Sequence, residues 1–296
     1  MARKSYKKAA RAATTKRGYS SDWRQFEKYC ERARRISMPA KTTTVCAYLR
    51  SLADGDKAFA TIKRHYAAIR WHHKQAGHPC GGEEVNDLLS AVARTIGVRQ
   101  EAKKALTLEQ IKQMVDKADL GSVSGLRDAA LLLIGFAGAF RRDELVNLRW
   151  SDVEWIEGGV RITLEKSKTD QMKIGRVVGI PRGDSQYCPV TALERWRGCG
   201  TGRGLVFRGV SRYGKLSRSL SGGAVGKIVK SYCGLVGLEA GAYGAHSLRA
   251  GFVTEAHNRG IGESAIMSQT GHTRVETLRR YIRNEDLGQN PGKGMF

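Results

Sequence analysis

A mainly α-helical chain in two domains, with a small β-hairpin or sheet confined to the second, is the fold class that the sequence predicts. Three observations carry it. Apolar residues recur at helical spacing in four successive segments between Tyr19 and Ile96, with no alternating run among them. A charged stretch without apolar period, Val98 to Leu106, then reads as a linker to a new helical unit. Only between Val160 and Pro181 does the period shorten to that of strands. A length of 296 residues suits two ordinary domains, each able to bury a core.

The charge balance narrows the partner. A net charge of +23 and a pI near 10.1 are too extreme for neutral surface decoration. They point to a polyanion, nucleic acid before anionic membrane. The longest apolar run, Ala129 to Phe140, is too short to span a bilayer, and the basic N-terminus lacks the apolar centre of a signal peptide. A cytoplasmic protein without membrane partners is therefore expected. The six cysteines are scattered, with no Cys-x-x-Cys pair, which predicts reduced thiols and neither zinc nor disulfides. His72, His73, His78 and Cys80 match no ligand spacing and read as solvated helix-end and turn residues.

Residues 1–18 are basic and Ala-rich without an apolar stripe, either an arm that lies on phosphates or a disordered tail. Ser20 or Ser21 is the expected cap of a first helix with Trp23, Phe26, Tyr29 and Cys30. Thr42 to Thr44 open a second with Val45, Tyr48, Leu49 and Leu52. A third runs from about Ala60 to Gln75, stopped by Gly77 and Pro79, and a fourth from Glu83 to Thr95. The third mixes Lys63, Arg64, Arg70 and Lys74 with aromatic and aliphatic residues, and a basic, strand-free unit of this kind suits gripping DNA grooves.

Past the linker, Thr107 with Gln110 forms a capping box before Ile111, Met114 and Val115. A core helix follows, and its polarity changes abruptly at Arg141. On a helix Glu144, three residues on, holds Arg141 in one rotamer, whereas Arg142 points about 100° away. Two strands then flank a turn containing Lys166 and Lys168, either of which reaches a nearby site. Pro189 opens another helix. The stretch from Ser221 to Ile228 lacks the glycine and the hydroxyl of a nucleotide-binding loop, so it reads as the capped entry to a helix through Leu235.

The segment from His246 to Tyr281 concentrates reactive groups: His246, Arg249, His272, Arg280 and Tyr281. His246 and Arg249 are three apart and share one helix face, about 5–6 Å apart at Cβ. Val275, Leu278 and Ile282 mark a last short helix with Tyr281 at the edge of its stripe. Taken singly, the tyrosine is an ordinary half-buried aromatic and the histidines are structural. A phenol with a pKa near 10 becomes a useful nucleophile only where cations and hydrogen bonds stabilise the phenolate, and these neighbours supply them.

His-x-x-Arg at 246 to 249, Gly-His at 271 to 272 and a tyrosine nine positions later together resemble the C-terminal signature of the tyrosine recombinases, the phage integrase family. Arg141 followed by Glu144 resembles the family's first catalytic arginine and its carboxylate partner, although Gly138-Ala139-Phe140 replaces the usual small-Gly-Leu before it. The resemblance selects Lys168 as the hairpin lysine. It implies a two-domain DNA clamp: a basic tail at 1–18, a helical core DNA-binding domain at 19–100, a mixed α/β catalytic domain at 101–286 and a short tail at 287–296.

It further implies a site-specific recombinase that cuts and rejoins double-stranded DNA through a 3′-phosphotyrosine and a Holliday junction. Four protomers would act on two duplexes, without ATP, metal or other cofactor, in a prokaryotic nucleoid or for a phage, plasmid or other mobile element. Arg141 and Arg249 would clamp the phosphate, Tyr281 attack it, Lys168 act as general acid, His246 assist proton transfer and His272 donate a hydrogen bond to the phosphate. A nicking-closing topoisomerase and a non-catalytic DNA-binding module are the alternatives. Recombinant junctions separate the first, and a covalent adduct excludes the second.

Overall fold

The structure is a computed structural model, and it describes residues 13–98, 103–164 and 175–281. Two compact units divide the chain, Met1–Ala102 and Lys103–Phe296. Among the described residues no helix is long and apolar enough to cross a membrane.

The first unit is helical: α1 (Ala13–Arg32), α2 (Thr42–Asp54), α3 (Phe59–Gln75) and α4 (Glu83–Ile96). Its core draws Trp23, Phe26 and Cys30 from α1, Val45, Tyr48 and Leu49 from α2, Ile62, Tyr66 and Ile69 from α3, and Val85, Leu89 and Val92 from α4. Helical spacing places each set on one face. The start of α1 differs from expectation, because residues 13–18 are already helical and Ser20 and Ser21 lie within the helix. Once Trp23 and Phe26 are packed, Ala, Lys and Arg before them extend the helix at little cost.

His72 and His73 are also not solvated ends. His73 is fully buried, accepts from the Ala40 amide at 3.0 Å and donates from Nδ1 to the Ile69 carbonyl at 2.9 Å. The ring of His72 stacks on Trp23 with centroids 4.7 Å apart. Both are fixtures of the α1–α3 contact, which the position of the following turn concealed.

In the second unit the helices are α5 (Leu108–Asp116), α6 (Val123–Ala137), α7 (Arg142–Asn147), α8 (Pro189–Trp196), α9 (Gly222–Leu235), α10 (His246–Asn258), α11 (Glu263–Thr270) and α12 (Val275–Arg279). The Thr107–Gln110 capping box is present, and Ser221 caps α9 by accepting from the Ala224 amide at 3.1 Å. Helix α6 is buried along almost its whole length, as its near-continuous apolar sequence requires. Ahead of α5 the chain is pinned by the amide of Leu106, which donates to the Ser247 carbonyl at 3.2 Å. Gly251 permits this approach, since a Cβ there would lie 1.9 Å from the Leu106 oxygen.

The expected strand pair appears as β2 (Gly159–Leu164) and β3 (Arg176–Pro181), joined by a preceding β1 (Val153–Ile156) in an antiparallel sheet of order β1-β2-β3. Arg176 pairs with Leu164 at the loop end of the β2–β3 hairpin. The short β1 follows a single turn of 3-10 helix, Trp150–Asp152, and four residues are too few for a legible alternation. Lys166 and Lys168 lie outside the described residues, as do the 287–296 tail and Ile282.

Candidate active site

The site begins where α6 ends. Ala139 adopts φ +47, Arg141 is extended as the N-cap of α7, and the helix proper starts at Arg142. Arg141 and Arg142 therefore differ not by a rotation about one helix but by standing outside and inside its end. Glu144 reaches back in the manner of a capping box, its Oε2 accepting from the Arg141 amide at 2.8 Å and its Oε1 from Arg141 Nη1 at 2.7 Å. Arg142 instead pairs with Asp143 at 3.2 Å, with its side chain half exposed. The left-handed turn at Ala139 costs a non-glycine residue about 1–2 kcal/mol, and it aims the Ala139 carbonyl at Arg249 Nη1, 2.8 Å away.

Helix α10 supplies His246 and Arg249. Arg249 is fully buried, and desolvation together with the nearby Arg141 guanidinium lowers its pKa to about 10, so it remains a cation at neutral pH. Its Nη2 donates to Nε2 of His272 at 2.9 Å, while the other ring nitrogen of His272 lies 2.8 Å from the Thr270 hydroxyl. A guanidinium has no acceptor, so His272 Nε2 accepts and Nδ1–H donates to Thr270. The Thr270 hydroxyl in turn donates to the Ile266 carbonyl at 2.7 Å. Burial, then Arg249 and other neighbouring cations, push His272 down to about 3 and keep it neutral. Its ring nitrogens are thus both engaged within the protein, whereas a donor toward phosphate was expected.

Tyr281 is delivered by the same chain. Leu278 of α12 is buried with Val253, Ala256 and Ile266, and Tyr281 packs against that cluster. Its hydroxyl lies 2.5 Å from Nε2 of His246, and its ring centroid lies 5.4 Å from that of His246 and 5.2 Å from that of His272. Desolvation of the ring, then the Arg249, Arg141 and Arg142 charges, lower the pKa of His246. Its neutral form is favoured, and the phenol and Nε2 share one hydrogen bond whose direction the ring tautomer sets. Arg280 is exposed.

One participant went unread in the sequence. Arg176, at the start of β3, donates from Nη2 to Glu144 Oε2 at 2.7 Å and from Nη1 to the Gln269 carbonyl. Strand parity carried a signal, because Arg176 shares a face with the buried Val178 and Ile180, and a cation on the core side of a strand needs a partner. Thr270 had no such signal. Arg141, Glu144, His246, Arg249, His272 and Tyr281 are thus linked by hydrogen bonds and ring contacts, directly or through the turn at Gly271, whose carbonyl accepts from Arg141 Nη2 at 3.1 Å.

Comparison with known proteins identifies the family. Residues 104–287 match the model of the phage integrase family. A Selenomonas ruminantium protein described as an integrase/recombinase xerD homolog is 36% identical over 286 residues, 94% of this chain and 84% of the relative. Recombinase cre of Escherichia phage P1 is 26% identical over 289 residues, 89% of this chain and 82% of the relative. The solved structure of the Tn1549 transposon integrase with transposon right end DNA shares the fold, with a TM-score of 0.62 at 15% identity over 94% of this chain and 92% of that one. The chain therefore belongs to the phage integrase family, the tyrosine recombinases, enzymes that break and rejoin DNA strands.

Proposed function

We propose that this recombinase acts at specific DNA sites by forming a 3′-phosphotyrosine at Tyr281 and resolving a Holliday junction, with four copies on two duplexes. The observation that carries the reading is the phenol of Tyr281 held 2.5 Å from a neutral His246, one helical turn from the buried Arg249 cation. Tyr281 Oη attacks phosphorus in line as the bond to the 5′-oxygen breaks. The phenolic proton passes to His246 Nε2, and Lys168 gives a proton to the departing 5′-oxygen. Arg141 and Arg249 face the non-bridging oxygens and hold the transition-state charge, with Glu144 fixing Arg141.

His272 serves this reading chiefly through Arg249, whose fork it orients by accepting from Nη2. The phosphoester bond energy is retained in the phosphotyrosine, so a partner strand's 5′-hydroxyl reverses the step on new DNA with no energy source. The basic face of α3, with Lys63, Arg70 and Lys74 exposed, supports groove binding by the helical unit. The test is to isolate covalent protein–DNA complexes from the native host under denaturing conditions and sequence the attached ends. One recurrent site bearing a free 5′-hydroxyl, absent with Tyr281→Phe, is expected. Adducts that persist in Tyr281→Phe would sink the assignment, and cleavage without recombinant junctions from two copies of the site would reduce the enzyme to nicking and closing.

A further inference from the structure

Glu144 is the carboxylate of the site, and it is divided between two arginines. Its side chain is almost wholly buried, with Oε1 on Arg141 Nη1 and Oε2 on both Arg176 Nη2 and the Arg141 amide. Arg176 is itself largely buried, and desolvation, despite the Glu144 charge, lowers its pKa. Its Nε is buried without a hydrogen-bond partner among the described residues. Its stem closes on the αL glycine that ends α11, since a Cβ on Gly271 (φ +68) would lie 2.9 Å from Arg176 Cδ. The same Gly271 offers its carbonyl to Arg141 Nη2 and precedes His272 in the chain.

An arginine and a carboxylate left to themselves favour the bidentate fork, with both carboxylate oxygens on one guanidinium. In that arrangement Glu144 would neutralise Arg141 and turn its second nitrogen away from Gly271. Because Oε2 is engaged by Arg176, Glu144 meets the Arg141 guanidinium through one oxygen only. We propose that Arg176 is a positioning residue for strand cleavage, dividing Glu144 so that Arg141 keeps its orientation and an only partly neutralised charge for the scissile phosphate. The proposal rests on the functional reading above, since it acts through Arg141. A contribution to stability alone explains Arg176 poorly, because a buried ion pair is often matched by an apolar side chain of similar volume.

The experiment uses the full-length protein and a nicked synthetic duplex carrying the site found by adduct mapping. Single-turnover adduct formation at saturating DNA is measured with the natural phosphate and with a neutral methylphosphonate at the scissile position. Arg176→Met is expected to slow cleavage of the natural phosphate by about 10²-fold, the scale of a small misplacement at a reacting centre. DNA affinity should change less than about threefold, and the neutral phosphonate should erase most of the defect, because it needs less positive charge. Arg176→Lys, which keeps a donor for Glu144, should recover part of the rate, and it carries the same comparison if the Met variant fails to fold. An undiminished rate in both variants, an equal defect on both substrates, or a loss explained by DNA affinity would overturn the proposal. Absence of any adduct from the unaltered protein would instead overturn the assignment of Tyr281, and this proposal with it.

Discussion

Two charge clusters, one in each unit, are built around a buried carboxylate from the same kinds of side chain to opposite effect. In the helical unit Asp22 receives the Arg64 fork at 2.7 and 3.0 Å and lies 3.4 Å from His65 Nε2, while His65 Nδ1 meets the Tyr48 hydroxyl at 2.8 Å. One carboxylate faces one guanidinium, and that cluster is closed. In the second unit Arg141 and Arg176 share Glu144 while Arg249 bonds only the Ala139 carbonyl and His272, so three cations less one anion leave two positive charges among the described groups. A closed pair supports the fold, whereas an open one disfavours the empty state and favours an arriving anion.

Removing a cation from the open cluster breaks this comparison most directly. Arg249→Met should slow covalent adduct formation by about 10²–10³-fold, with thermal stability unchanged or raised because a desolvated, repelled charge is gone. A large loss of melting temperature would show instead that Arg249 is as firmly paired as Arg64. The converse is Asp22→Asn in the closed cluster. It should cost about 2 kcal/mol in thermal or denaturant unfolding, the scale of hydrogen bonds to a charged group, and leave the cleavage rate at saturating DNA within about twofold. Slowed chemistry there would erase the distinction between the clusters.

Acid sharpens the contrast by a smaller amount. His272 sits at about 3 because it is buried among cations, below the value near 6.5 of an unfolded histidine. Above about 6.5 both states leave it neutral and its contribution to stability is complete. As the pH falls toward 3 the unfolded chain binds a proton that the folded chain refuses, and that contribution is lost. Denaturation between pH 4 and 8 should therefore show a shallower acid loss in His272→Gln than in the unaltered protein. Identical slopes would mean that His272 takes up its proton in the folded state.

The least effect is expected at the turn between α6 and α7. Ala139→Gly removes a buried methyl, and a change to glycine commonly costs about 0.5–1 kcal/mol, yet relief of a positive φ offsets it. A net change under about 0.5 kcal/mol in the unfolding free energy is expected, and a full 1 kcal/mol loss would show that Ala139 is unstrained. The same turn gives a physical reason for the glycine usual at this point in the family. The carbonyl must face the buried arginine from a left-handed residue, and alanine is the next smallest that can do so.

Much of the site was legible because its residues sit at punctuation points of helices. Arg141 and Glu144 stand where an apolar run ends, and His246 and Arg249 open a helix three apart. His272 and Tyr281 follow an αL glycine and a short terminal helix. Arg176 and Thr270 were not read, and for different reasons. Strand parity put Arg176 among Val178 and Ile180, but a basic residue at the first position of a strand is more often solvated than paired with a distant carboxylate. Thr270 matters only through a hydrogen bond across two residues, which leaves no periodic trace. The start of α1 and the burial of His73 went unread because both depend on packing between α1 and α3.

By itself the amino-acid order determined most of the helices, the β2–β3 pair and which reactive side chains share a face, because these follow from spacing along one chain and from local capping. Tertiary structure alone decided which nitrogen of His272 carries the proton, how Glu144 is divided between two guanidinium groups and that Tyr281 reaches His246 of its own chain. Those outcomes depend on distances between groups 2 to 35 residues apart and on how much water is excluded around them, and neither quantity is written in any local stretch.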